Sequence, residues 1–271
     1  MTRRTFNGKT IVVTGAASGL GRALANRFAN SGASIAALDT NGSGLEQLRR
    51  ELEIDGGACI ALPCDVTEAE SCRLAIEATE RRFGSIDVLI NNAGISHRSG
   101  FMETGLDVIR KVMEVNFFGA VNCSKAALPA LISNRGMIIA ISSVAGFSPL
   151  LARSGYAASK HAMHGFFESV RTEVAPRGVD VLMVCPSFVD TDIDRHALAG
   201  DGELVRHEKV VVGRRMTPEY VAARVHDAAA AGRRRLLVGS TARLAWWLNR
   251  TLPATFERAM AARMRSELES S

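Results

Sequence analysis

The chain has 271 residues, 47% of them apolar and 23% charged, with a formal charge of +5. That composition suits a globule with a full core and excludes a disordered or fibrous chain. The opening ten residues, MTRRTFNGKT, are too polar for a secretory leader and no apolar run approaches the ~20 residues of a membrane span, so a cytoplasmic location is expected.

Short, nearly continuous apolar runs predict strands at Thr10–Val13, Ser34–Leu38, Cys59–Leu62, Val88–Ile90, Met137–Ile141, Val181–Val184 and Leu236–Val238. Such runs fit strands buried on both faces. The stretches between them carry helix signals. Ser43-x-x-Glu46 and Thr67-x-x-Glu70 read as capping boxes, and Thr217-Pro218 places a cap before an N1 proline. Gly32, Gly84, Gly136, Gly178 and Gly232 each stand where a helix needs a left-handed closing residue. Strands alternating with helices imply an α/β doubly wound parallel sheet of about seven strands, covered by helices on both faces. The expected organisation is one dinucleotide-binding domain over residues 1–240, with an irregular segment at 187–216 and a basic helical extension at 241–271.

The first predicted strand runs into Thr14-Gly15-Ala-Ala-Ser18-Gly19-Leu20-Gly21 and then a helix. Glycines there let a backbone approach a pyrophosphate, and the helix N-terminus offers free N–H groups to the anion. Asp39 closes the second strand, 18 residues after Gly21. A carboxylate at that place can accept from an adenosine ribose hydroxyl and would repel a 2′-phosphate, which favours NAD over NADP; a plain turn residue also fits. Asp65-Val66 follows the third strand; contact with an adenine and a purely structural turn both fit. Asn91-Asn92-Ala93-Gly94 follows the fourth, where a polar turn beside the cofactor and a plain turn both fit.

Ser143 follows the fifth strand, and Tyr156 and Lys160 lie thirteen and seventeen residues further on. Positions i and i+4 share a helix face, so phenol and ammonium can face one space. An unperturbed Tyr titrates near ~10, and a neighbouring cation favours its phenolate. Ser143 could hold a carbonyl or alcohol oxygen. Five cysteines, Cys59, Cys64, Cys72, Cys123 and Cys185, form no CxxC pair and read as reduced, buried thiols. No metal site is expected.

TGAASGLG, NNAG, Asn116, Ser143 and YAASK, in this order and spacing, resemble the short, single-domain branch of the short-chain dehydrogenase/reductase family. The resemblance covers roughly residues 8–190. It implies Tyr156 as general acid/base, Lys160 as its electrostatic partner and ribose ligand, Ser143 as the group that polarises the substrate oxygen, and Asn116 as the anchor of a proton-relay water. It implies cofactor contacts from Gly15, Ser18, Gly19, Leu20, Gly21, Asp39, Asp65, Val66, Asn92, Ala93, Gly94, Tyr156, Lys160, Pro186, Val189 and Thr191. The family's usual Pro-Gly after the sixth strand is Pro186-Ser187 here, which puts the placing of Val189 and Thr191 in question.

The expected activity is therefore NAD(P)-dependent interconversion of a secondary alcohol and a ketone. Phe147, Leu150, Leu151 and Phe188 suggest an apolar, steroid- or lipid-like substrate. The alternative is a non-catalytic dinucleotide-binding regulator on the same fold; the intact tetrad argues against it. An epimerase of sugar nucleotides would want a different glycine spacing and a larger C-terminal part. The resemblance also implies a homodimer or homotetramer. For 187–216, with His196 and His207, a lid over substrate and a solvated loop-helix both fit; His97 reads equally as a substrate contact or a surface residue. The extension repeats apolar residues every four positions from Leu244 to Met264, broken at Pro253. Packing on the subunit or a dimer mate is its first reading, a cover over the substrate entrance its second, and a peripheral membrane contact its third. Residues 231–271 hold eight arginines against three glutamates, the whole charge excess. A nucleic-acid partner is thus not expected.

Overall fold

A computed structural model describes residues 3–205 and 215–265. Among these residues the elements alternate: β1 (Thr10–Thr14), α1 (Gly19–Ala29), β2 (Ser34–Asp39), α2 (Gly42–Ile54), β3 (Cys59–Pro63), α3 (Ala69–Phe83), β4 (Val88–Asn91), α4 (Leu106–Met113), α5 (Gly119–Ser133), β5 (Met137–Ile141), α6 (Ser154–Val174), β6 (Asp180–Pro186), α7 (Pro218–Ala230), β7 (Arg235–Val238), α8 (Ser240–Thr251) and α9 (Pro253–Met264). The strands form one parallel sheet in the order β3-β2-β1-β4-β5-β6-β7. The predicted strands all fall inside observed ones, because each is a nearly continuous apolar run; β1, β4 and β5 are buried along their whole length, and the edge strands β3 and β7 are partly covered.

Alternate strand residues feed two cores. Ile11 and Val13 of β1 pack with Leu24 and Phe28 of α1, Leu45 and Leu48 of α2, and Val221 and Val225 of α7. Val12 faces the other way, towards Ile76 of α3, Leu131 of α5 and Met163 and Phe167 of α6. The strand order reverses between β1 and β4, which opens a crevice at the carboxyl ends of those strands, the usual ligand position in such sheets.

Helices α4 and α5 are joined through a π-helical turn, Glu114–Phe118, into one continuous helix over Leu106–Ser133. It is long enough, and one 18-residue window of it apolar enough at a mean hydropathy of 1.2, to cross a bilayer by length and composition alone, which the expectation that no apolar run approaches such a span did not foresee. In the fold it lies against α3 and α6, and its Asn116 is fully buried.

The capping boxes expected at Ser43 and Thr67 do not form. Asn41 caps α2, its Oδ1 accepting from the Gly44 N–H at 3.0 Å, and Ser43 donates to the same oxygen. The Thr67 hydroxyl turns back to Asp65 Oδ1 at 2.8 Å, and α3 begins after Glu68 without a side-chain cap. Thr217 does cap α7. Gly32, Gly84, Gly178 and Gly232 take the left-handed conformation; at Gly136 the preceding Arg135 takes it instead. Pro253 divides the extension into α8 and α9 as expected.

Candidate active site

The crevice opens into a cavity of about 1050 Å³ that runs from the turn after β1, past the starts of α3 and α6, to α8 and α9. At one end lies the turn Gly15–Gly21. Gly15 has φ +65, and a Cβ there would sit 2.9 Å from the Cα of Ala93. A Cβ on Gly21 would sit 1.9 Å from the carbonyl oxygen of Gly15. The turn therefore accepts no side chain at either place. Ser18, at the N-cap of α1, makes no side-chain cap, so the helix end presents its N–H groups to the crevice. These are the features a pyrophosphate needs. Thr191 stands over the turn, its methyl 3.2 Å from where a Gly19 Cβ would be.

Asp39, half-buried at the end of β2, lines the same space. Its carboxylate accepts from the N–H groups of Ala17 at 3.1 Å and Asn41 at 3.0 Å, which fixes the side chain beside the glycine turn. Asp65 also lines the cavity, and its Oδ1 accepts from the N–H and hydroxyl of Thr67. The turn role and the crevice position thus coexist in one residue. Val66 is buried beside it. Asn92 donates to the carbonyl oxygens of Thr14 and Gly15 at 2.9 and 3.2 Å, tying the NNAG turn to β1. Leu20, Ala93, Gly94, Pro186 and Val189 line the cavity with them.

Ser143, Tyr156 and Lys160 meet midway along it. Ser143 Oγ accepts from the Ala145 N–H at 3.2 Å and hydrogen-bonds the Tyr156 phenol. Ser142 instead points behind the site, to His164 Nε2 at 3.0 Å. Lys160 Nζ lies 5.8 Å from the Tyr156 ring centroid and donates to the carbonyl oxygen of Ile141 at 3.0 Å. Burial pushes the Tyr156 phenol up to about 12; the Ser143 hydrogen bond and the Arg153 cation oppose this, and the Asp194 carboxylate adds to it. Burial lowers Lys160 to about 8. Desolvation thus outweighs Ser143 and Arg153 in the free protein, and the Lys160 ammonium, expected to acidify the phenol, is not among the groups that lower it.

Asn116 occupies the π-helical turn, a common device at functional sites. Its amide closes a pair of bonds with the backbone of Ile95, at 2.8 and 2.9 Å, and donates to Ser159 Oγ at 2.9 Å. A Cβ on Gly94 would lie 3.1 Å from Asn116 Oδ1 and 3.6 Å from Lys160 Nζ, so the glycine keeps these groups close.

The family model for short chain dehydrogenases matches residues 9–201. The chain belongs to the short-chain dehydrogenase/reductase family. It is an oxidoreductase whose fold and crevice suit a nicotinamide dinucleotide. It is 40% identical to dehydrogenase/reductase SDR family member 7B of Bos taurus, over 96% of this chain and 82% of that one. It is 34% identical to dehydrogenase/reductase SDR family protein 7-like of Anopheles gambiae, over 93% and 82%. A dehydrogenase/reductase of Sinorhizobium meliloti superposes with TM-score 0.76 at 30% identity, covering 88% of this chain and 96% of that one. A short-chain dehydrogenase/reductase of Burkholderia phymatum, solved in complex with NAD, superposes with TM-score 0.83 at 24% identity, over 93% and 96%; that likeness concerns the fold.

The substitution at Ser187 does not disturb the turn after β6. Its N–H donates to the Val238 carbonyl oxygen, and room for its hydroxyl comes from Gly239, where a Cβ would lie 2.8 Å from Ser187 Oγ. Val189 and Thr191 accordingly reach the cavity. Leu150 and Phe188 line it too, whereas Phe147 turns away to pack edge-on against Trp246 at 4.9 Å. His196 lines the cavity; His207 and the rest of 206–214 lie outside the described residues, as do 266–271 at the end of the extension. His97 is neither a substrate contact nor a surface residue, being fully buried. The extension packs on its own subunit and, through Leu244, Leu248, Phe256, Met260 and Met264, walls the cavity, so its first two readings merge.

Two contributors escaped the sequence. Thr14 Oγ1 accepts from the N–H groups of Asn92 and Ala93, both at 3.0 Å, and so pins NNAG to β1. Its place directly before Gly15 was the available signal. Arg153, buried three residues before Tyr156, brings a cation to the cavity, and nothing in its local pattern marks it.

Proposed function

We propose that the chain interconverts a hydrophobic secondary alcohol and its ketone, with NAD(H) preferred over NADP(H). One observation carries the reading: a single cavity holds the glycine cradle at one end, Ser143, Tyr156 and Lys160 in the middle, and the apolar side chains of α8 and α9 at the other. A nicotinamide dinucleotide, when bound, supplies or accepts the hydride. Gly15, Gly19 and Gly21 would hold its pyrophosphate and Asp39 its adenosine ribose; Lys160, facing Gly94 across the cavity, would hold the other ribose. Ser143 orients the substrate oxygen. Tyr156 gives a proton to that oxygen or takes one from it at its own hydroxyl, and its preference for the protonated form suits proton delivery to a ketone. The walls of α8 and α9 keep bulk water from the reacting centre and favour an apolar substrate. Association of copies through α5 and α6 belongs to the same proposal; Phe118, at the head of α5, is 44% exposed in the single subunit.

The test is a panel of steroid, long-chain and small secondary alcohols with NAD and NADP, followed at 340 nm, with Tyr156→Phe as control. Turnover of the larger apolar alcohols that disappears in the variant supports the reading. Turnover that survives in Tyr156→Phe, or that is confined to small polar alcohols, defeats it.

A further inference from the structure

Behind Tyr156 lies a polar chain that the proposed chemistry leaves unused. Helix α6 begins at Ser154, and Arg153 at its N-cap supplies no side-chain cap hydrogen bond. The first N–H groups of a helix need an outside acceptor. Ser, Thr, Asp or Asn usually supplies it from the cap position itself. Here His97, distant in sequence and fully buried, does so: its Nε2 accepts from the Gly155 N–H at 2.9 Å. Gly155 is the residue before Tyr156.

An accepting Nε2 places the ring hydrogen on Nδ1, which faces Ser99 Oγ at 3.4 Å. Ser99 Oγ is 2.7 Å from Thr104 Oγ1, and Thr104 donates to the Gly100 carbonyl oxygen at 2.6 Å. Every donor in this buried series can point the same way, from Gly155 through His97 and Ser99 to Thr104. Burial, reinforced by the Arg153 cation, lowers His97 to about 4, so the ring stays neutral and able to accept at neutral pH. The fit is tight: a Cβ on Gly155 would lie 3.0 Å from His97 Nε2 and 3.3 Å from Ile109 Cγ1.

The backbone around His97 is tied on three sides. Ile95 N–H donates to Asn116 Oδ1. The Leu198 N–H donates to the Ser96 carbonyl oxygen at 2.9 Å, and the Arg98 N–H to that of Leu198 at 2.8 Å. The Ser99 N–H donates to the Ala152 carbonyl oxygen at 3.0 Å. The segment thus joins the cofactor side, the start of α6 and the strand pairing of the 187–205 stretch.

We propose that His97 is a positioning residue of the oxidoreductase: its imidazole fixes the first turn of α6, and thereby the Tyr156 hydroxyl against Ser143, and couples that turn to the substrate-covering segment at Leu198. The proposal rests on Tyr156 as the proton-transfer group. Its test does not need turnover. The sequence has two tyrosines, Tyr156 and Tyr220. In a Tyr220→Phe background, 3-fluorotyrosine places a single fluorine probe on Tyr156.

His97→Leu is expected to keep its circular dichroism and its affinity for NADH while moving the fluorine resonance towards that of free fluorotyrosine. His97→Gln, whose amide oxygen can take the place of Nε2, is expected to restore the parent resonance. On the best alcohol of the panel, kcat should fall about tenfold or more in His97→Leu, with KM little changed, and recover in His97→Gln. A folded His97→Leu with an unmoved resonance overturns the proposal, as does equal displacement in the Gln variant or a displaced resonance with unchanged kcat. If His97→Leu does not fold, Ser99→Ala decides: a partial displacement supports the proposal and none overturns it. A parent protein that turns over nothing in the panel strikes the functional reading alone, since the fluorine result stands without substrate.

Discussion

Replacing Asp39 by Asn removes one negative charge from the cradle and nearly keeps the side-chain shape. Both carboxylate oxygens accept backbone N–H groups, from Ala17 and Asn41. An amide retains one such acceptor, so the variant loses about 1 kcal/mol, or roughly 3 °C in Tm for a chain of this size. The electrostatic effect is larger. A carboxylate about 4 Å from one phosphate charge is opposed by ~1 kcal/mol in bulk water and ~4 kcal/mol at the effective dielectric of a protein surface. Asp39 is half-buried, so the lower end applies; a phosphate near two negative charges then gives about 2 kcal/mol, roughly thirtyfold in Kd. Asp39→Asn should therefore bind NADPH about thirtyfold more tightly than the parent does, and NADH somewhat less tightly. Fluorescence titrations with both cofactors, at low and high salt, measure this, and the gain should shrink as salt screens the parent's repulsion. A parent that already binds NADPH as tightly as NADH, or a variant whose NADPH affinity is unmoved, would refute the role given to Asp39.

Tyr156→Phe should lower kcat by about 10² to 10⁴ and leave NADH affinity unchanged, since the role proposed for the phenol is proton transfer; preserved single-turnover hydride transfer would contradict this. Deleting residues 241–271 removes the α8 and α9 wall, so soluble yield and activity on large apolar alcohols should fall while NADH still binds; a soluble truncation that no longer binds NADH would count against the placing of the cradle. Lys160→Met should be more stable than the parent at pH 7, because burial lowers the folded lysine to about 8 from its ordinary value near 10.5. Between these values the unfolded chain binds more protons, so the parent gains stability as pH rises and the difference from Lys160→Met closes; urea titrations at both ends of that window check it, and a constant difference would show that burial is not the cause.

The sheet is legible because each strand is a short apolar run bounded by polar or turn residues, and burial of the central strands on both faces leaves that pattern little freedom. The glycine cradle was legible for a related reason: Gly15 and Gly21 touch backbone that no side chain could approach, so their spacing is visible in the sequence itself. Caps were harder. Asn41 and Ser43 are both good acceptors two residues apart, and the choice between them depends on how β2 ends, which no local rule contains. The least visible contributors have distant partners. His97 meets Gly155 across 58 residues of sequence, and its setting has no period to betray it. The four-residue repeat of the extension showed an apolar stripe, but only the placing of β7 decides that this stripe faces the cavity.

That placing bears on the chemistry. The extension is anchored beside the Ser143 turn: Asn249 donates to the Phe147 carbonyl oxygen at 2.7 Å, and the Trp246 ring lies between the guanidinium groups of Arg235 and Arg250, at 4.2 and 3.8 Å. Arg235 is itself paired with Glu168 of α6. The helix that carries Tyr156 and the wall that dries its cavity are thus held by one set of contacts. Desolvation moves the two central groups in opposite senses, the phenol up and the ammonium down, so both drift towards their neutral forms. Tyr156 keeps part of its surface on the cavity. Opening the wall would hydrate the phenol and bring it back towards its ordinary value; closing it over an apolar substrate would hold the proton until the substrate oxygen is in place to receive it. On the proposed chemistry the acid strength of Tyr156 would depend on the extension that walls its cavity as well as on Ser143 and Arg153, and a substrate that completed an apolar enclosure would also set the state of the group that acts on it.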